Sequence, residues 1–143
     1  MKNSEVIREP LVNIERSPLF VLIALVISTL LGYFTYLLFV QVNPWAFLMM
    51  VPASVAAFQS VWFLLHPFAL VFDDHVEYKQ SLFTNKVSYF TDVKKVNKSK
   101  KAGLYITYTD DEQESLPLFG IRAAHVDVLM AEIEKRIISR NQA

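Results

Sequence analysis

Apolar and polar positions divide this chain into two regimes. From Pro18 through Phe72 there is no Asp, Glu, Lys or Arg, a run of 55 residues. After Asp73 the apolar positions alternate with polar ones instead. A helix that crosses a bilayer needs roughly 20 predominantly apolar residues, so the uncharged run predicts two of them. The first is expected over Pro18 to about Gln41 and the second over about Trp45 to His66. Gln41, Val42, Asn43 and Pro44 form the turn, because proline disfavours the helical conformation of the residue before it. Trp45 lies where an indole prefers the headgroup level. Pro52 falls inside the second span and predicts a kink, which bilayer helices tolerate when neighbours satisfy the freed backbone groups.

Small residues recur on each span: Ala24, Ser28 and Gly32 on the first, Ala53, Ala57 and Ser60 on the second. Lipid tails give helices no hydrophobic reason to associate, so close approach through small residues carries more of the packing. These two strips are expected to meet within one hairpin. The same strips could instead pair two chains, or simply face lipid.

Beyond Phe68 a period of two predicts short strands. Candidate strands cover 69–72, 76–82, 86–90, 93–98, 104–109 and 113–119. Val93 and Val96 are three apart, which breaks the alternation and predicts a bulge or helical turn near Thr91–Lys94. Pro117 cannot donate to a ladder and is confined to an edge or a strand end. Past Gly120, Val126, Leu129, Met130, Ile133 and Ile137 share one stripe of a helix expected over about 121–138. The fold class is therefore α+β: a helical hairpin (18–68) after a short N-terminal segment (1–17), then a small antiparallel β domain closed by a helix (69–143).

Charge adds sidedness. Lys+Arg and Asp+Glu are balanced at 14 each, but the hairpin turn carries none of them. Lys2, Arg8 and Arg16 precede the first span, and the remaining 11 Lys/Arg (14 less 3) follow the second. By the positive-inside rule both termini lie in the cytoplasm. A bacterial cytoplasmic membrane is the expected location.

Candidate chemistry is sparse. There is no Cys, which excludes disulfides, thiol catalysis and Cys-based zinc sites. His66, His75 and His125 fit no ligand spacing. Gly32, Gly103 and Gly120 make no phosphate-cradling loop, and no nucleophile elbow occurs. Asp110, Asp111, Glu112 and Glu114 read as a solvated turn, since their spacing is not that of a calcium loop. No enzyme, metal or cofactor is expected. No ionisable residue lies within either span, which argues against a pump or channel acting alone. Lys94, Lys95, Lys98, Lys100 and Lys101 form a basic stretch. It could contact anionic lipid, worth about 1 kcal/mol per Lys near the surface, or serve as a hydrated tip that guards a sheet edge. Without interleaved aromatics it does not suggest nucleic acid.

The order of these features resembles bacterial PH-like-domain membrane proteins. The resemblance spans about residues 18–140. It rests on the Phe72–Asp74 turn, the Tyr78 strand ending at Leu82-Phe83, the Val87–Phe90 strand, the Asp92-Val93-Lys94-Lys95-Val96 step and the terminal helix. It implies a bent, nearly closed antiparallel sheet plugged by that helix. Two departures stand out: six strands are evident where a PH fold has seven, and Tyr89-Phe90 occupies a position often held by Trp. The family has no settled common activity. The functional expectation is a non-enzymatic membrane-anchored binding or scaffold module. Its partners would be membrane lipids, and a protein or a second copy. The alternative is an accessory subunit of a transporter or envelope-assembly complex, contacted through the hairpin.

Overall fold

The computed structural model describes residues 9–98 and 103–142. Two long helices stand on one end of a two-sheet β domain. Helix α1 (Pro18–Val40) and helix α2 (Trp45–Leu65) lie within a residue of the expected spans. At 1.5 Å per residue they are about 34 and about 32 Å long. Both are long and apolar enough to cross a bilayer. Large apolar side chains such as Leu19, Leu30, Phe47 and Phe58 point outward from them. α1 ends in the reciprocal bonds of a Schellman turn: Val42 N–H donates to Phe39 C=O at 2.9 Å and Asn43 N–H to Leu38 C=O at 3.0 Å. That turn places Val42 at φ 54°, a left-handed conformation that β-branched residues rarely adopt.

The helices pack along a different line from the small-residue strips. On α1 the less exposed positions include Val21, Ala24, Ser28, Leu31, Thr35 and Leu38; on α2 they include Ala46, Met49, Ala53, Ala56, Ser60 and Phe63. Both sets alternate steps of three and four, the spacing that keeps one face on a partner along the whole contact. A strict step of four drifts around the helix by about 40° each time. Ala24, Ser28, Ala53 and Ser60 therefore belong to the interface, whereas Gly32 and Ala57 do not. Both are exposed, and a Cβ added at Gly32 would meet nothing within 4 Å. Two hydroxyls bridge the helices: Ser60 Oγ is 3.0 Å from Ala24 C=O, besides 2.8 Å from Ala56 C=O on its own helix, and Thr35 Oγ1 is 3.4 Å from Met49 C=O. Because the chain has no Cys, paired cysteines can check this register. Ala24→Cys with Ser60→Cys is expected to cross-link within one chain on mild oxidation. Gly32→Cys with Ala57→Cys is expected not to, as read by mobility on a denaturing gel.

The first sheet has four strands in the order β1 (Val12–Ile14), β2 (Ala69–Val71), β3 (His75–Lys79), β4 (Asn85–Tyr89). The second has three: β5 (Val93–Lys98), β6 (Gly103–Tyr108), β7 (Gln113–Pro117). Every pairing is antiparallel. The six expected strands are all present. The register shift between Val93 and Lys95 marks the expected bulge, and Pro117 ends the edge strand β7. The seventh strand comes from in front of the hairpin. Val12–Ile14 pairs with Ala69–Val71, so these three residues of the N-terminal segment belong to the first sheet.

Helix α3 (Ala123–Asn141) packs on β5 and buries Val126, Leu129, Ile133 and Ile137, the expected stripe. These residues join Ile14, Phe68, Val71, Tyr78, Leu104 and Leu116 in one core. Burial drives the Tyr78 phenol well above its ordinary pKa, because an ionised oxygen has no water there. A polar chain ties the two sheets together at their margin: Ser88 Oγ lies 3.2 Å from Tyr108 Oη, and Tyr108 Oη donates to Glu114 at 3.0 Å. Lys86 is ion-paired to the same Glu114.

Candidate functional site at the helix–sheet junction

The residues that tie the helices to the sheets converge at one end of the domain. Ile14 C=O accepts the Phe68 N–H at 2.8 Å, so the chain segments entering α1 and leaving α2 lie side by side. Ser17 N–H donates to Gly120 C=O at 2.6 Å, which brings the link between β7 and α3 to the start of α1. Phe20 lies between Phe63 and Phe119, with ring centroids 5.1 and 5.8 Å away. The loop between β3 and β4 reaches back along α2, where Leu82 N–H donates to Gln59 Oε1 at 3.1 Å. Gln59 is six residues before the end of α2, so the contact is about 9 Å up the helix. Phe83, next in that loop, is exposed.

Arg16 is the centre of this junction. It is only 7% exposed. Its guanidinium carbon lies 4.4 Å from the Phe63 ring centroid and 5.4 Å from that of Phe68. Nη2 donates to the main-chain carbonyls of Lys79 and, at 3.3 Å, Gln80. Nε is buried with no partner among the described residues. No carboxylate pairs with Arg16 among the described residues. Burial lowers its pKa to about 10, because a desolvated guanidinium holds its proton less tightly. Gln59 Nε2 and Trp62 Nε1, both on the last turns of α2, are also buried donors without partners among the described residues.

Beside Arg16 the helix ends part to leave an open cleft of about 560 Å³. Val21, Leu22 and Leu25 of α1 and Leu64 and Leu65 of α2 line one part of it. Asn13, Glu15, Arg16 and His66 line the other. The cleft is thus amphipathic. Read from residue type and position alone, Arg16 is only a charge flanking the first span. Its partners are backbone carbonyls and ring faces, which carry no signature at the level of residue type.

The described lysines of the basic stretch are spread along one strand. Lys94 and Lys98 sit about 13 Å apart along β5. Lys94 pairs with Asp111 at 2.5 Å, at the end of the domain away from the helices. Lys98 pairs with Asp127 at 2.8 Å, at the helix end. Lys95 is exposed between them, opposite Thr107. Lys100 and Lys101 lie outside the described residues. The acidic turn is engaged locally: Asp110 Oδ1 accepts the Glu112 N–H at 3.1 Å, Asp111 holds Lys94, and Glu114 holds Lys86. His75 stacks on Phe72 and lies 2.7 Å from Asp74, His66 stacks on Trp62, and His125 Nδ1 lies 3.3 Å from the Glu15 carbonyl. No group of three or more His, Asp or Glu among the described residues is placed to hold a metal.

No family model, no curated protein and no solved structure matches this chain.

Proposed function

We propose that this chain is an integral membrane protein of the bacterial cytoplasmic membrane, with a PH-like domain held against the cytoplasmic leaflet as a non-enzymatic binding or scaffold module. The observation that carries the reading is the union of two outward-apolar helices with one end of the β domain. Leu19, Leu30, Phe47, Phe58 and their neighbours are exposed over the full length of both helices, and burying such surface is worth roughly 25 cal/mol per Å². A bilayer is the solvent that covers it on all sides.

The distribution of charge on the domain supports the same orientation. The end away from the helices collects Asp73, Asp74, Asp92, Asp110, Asp111 and Glu112 in its turns. The helix end carries Arg16, Lys79 and Lys98, with Glu15 and the Lys98 partner Asp127 beside them. Anionic lipid attracts these cations and repels the first set. Under this proposal Lys98 faces the leaflet and Lys94, at the other end of β5, does not. The PH-like reading draws support from the four-plus-three strand arrangement and the helix that closes it, which restore the seventh strand.

Single cysteines test the topology. Val42→Cys, in the turn between the helices, is expected to react with an impermeant maleimide applied to intact spheroplasts. Asp110→Cys is expected to react only after the membrane is opened. The chain should stay in the pellet after alkaline carbonate washing. Release by carbonate, or labelling of Asp110→Cys from outside, would overturn the reading.

A second reading makes the hairpin itself the contact for a larger membrane complex. Gly32 favours it, because its backbone is open to close approach by another helix.

A further inference from the structure

Arg16 is a buried cation without an anion. A guanidinium has five donors, and Arg16 makes its hydrogen bonds to described residues only through Nη2. The Phe63 and Phe68 rings offset part of the cost. A desolvated charge is still expensive to leave without a counter-ion. The cleft beside it is lined by apolar side chains of α1 and α2 and by the polar residues Arg16, Asn13, Glu15 and His66. Glu15, the one carboxylate among the lining residues, is exposed to solvent and makes no ion pair with Arg16. An occupant matched to these walls carries a phosphate at one end and a hydrocarbon chain at the other.

We propose that the cleft between the N-terminal end of α1 and the C-terminal end of α2 binds one phospholipid, its phosphate at the Arg16 guanidinium and an acyl chain along Val21, Leu22 and Leu25. The phosphate supplies the missing counter-charge, and planar guanidinium–phosphate pairing is geometrically favourable. The acyl chain continues the lipid that covers the helices. This site rests on the membrane reading above. It differs from the general attraction of surface lysines for a leaflet, because it names one buried cation and one stoichiometric ligand.

Native mass spectrometry of the full chain released from mild detergent tests it. The wild-type chain is expected to carry one phospholipid adduct. Arg16→Gln is expected to reduce its occupancy about ten- to hundredfold, the loss of one charge-assisted contact. Arg16 also holds the β3–β4 link, so a second variant avoids its contacts: Leu22→Trp fills the apolar part of the cleft and is expected to displace the same adduct. Lys98→Gln is expected to leave it in place. Inorganic phosphate, added to chain stripped of lipid, is expected not to give a phosphate adduct. A wild-type chain that remains in carbonate-washed membranes but carries no adduct would sink the site and leave the anchor standing. So would an adduct insensitive to Leu22→Trp. A phosphate adduct without lipid would make the ligand a free anion and overturn the proposal.

Discussion

Residues 67–143 made alone are expected to show no cooperative unfolding transition, whereas the same residues preceded by residues 9–17 through a short Gly-Ser loop are expected to recover one. The reason is β1. Without it β2 loses the ladder over Val12–Ile14 and becomes a bare edge. The core loses Ile14, which is 2% exposed. Removing most of an isoleucine from a core costs about 2–5 kcal/mol. A small domain has only about 5–15 kcal/mol in total, so losing the whole strand consumes much of that margin. The rejoined chain is feasible because Ile14 faces Ala69 in the ladder and its carbonyl already bonds to Phe68 N–H at 2.8 Å. The two helices occupy the position of a hairpin loop between β1 and β2. Far-ultraviolet circular dichroism during a urea titration reads both outcomes. A sharp transition in the fragment lacking β1 would show that the sheet does not depend on it.

Much of this fold is legible in the sequence, and the parts that are not have physical reasons. The helices are bounded by the first and last charges around one run, a long-range exclusion no local propensity can blur. β2 to β7 carry period-two alternation or a turn residue at each end. The α3 stripe shows because four core residues recur at helical spacing. β1 is hidden because Val-Asn-Ile is too short to display a period, and its partner lies 55 residues on (Ile14 opposite Ala69). Gly32 and Ala57 mislead because small residues four apart look like one face, while the true contact advances by three and four in turn. The basic stretch misleads in another way. Five lysines close in sequence suggest a patch, but β5 sets Lys94 and Lys98 apart along its length and opposing carboxylates hold both. Arg16 cannot be singled out at all before its surroundings are known. The same residue type at the same distance from a span is usually solvated, and only the packing of Phe63, Phe68 and the β3–β4 link over it removes the water.

Gly120 is where the clamp between helices and sheets is most exposed to a single substitution. Its φ is +79°, in the region that side-chain-bearing residues rarely adopt. A Cβ there would lie 2.5 Å from the nearest atom of the Phe20 ring, with two more ring atoms within 2.8 Å. A lone phenyl ring could swing aside, but this one is flanked by Phe63 and Phe119. Gly120→Ala is therefore expected to cost roughly 2–5 kcal/mol, from about 1–2 for the left-handed backbone and about 1–3 for overpacking. The two parts separate in a double-mutant cycle. In a Phe20→Ala background the ring is gone, and Gly120→Ala is expected to retain only the backbone cost. The difference, about 1–3 kcal/mol, is the coupling between Gly120 and Phe20. Thermal unfolding of the four chains in one detergent measures it. Equal costs in both backgrounds would show that the ring yields freely, and that the Ser17–Gly120 hydrogen bond, not aromatic packing, fixes the domain to the start of α1. A large coupling would mean that the orientation of the β domain against the helices is set by side-chain shape at Phe20. That orientation decides which surface of the domain lies along the ends of both helices.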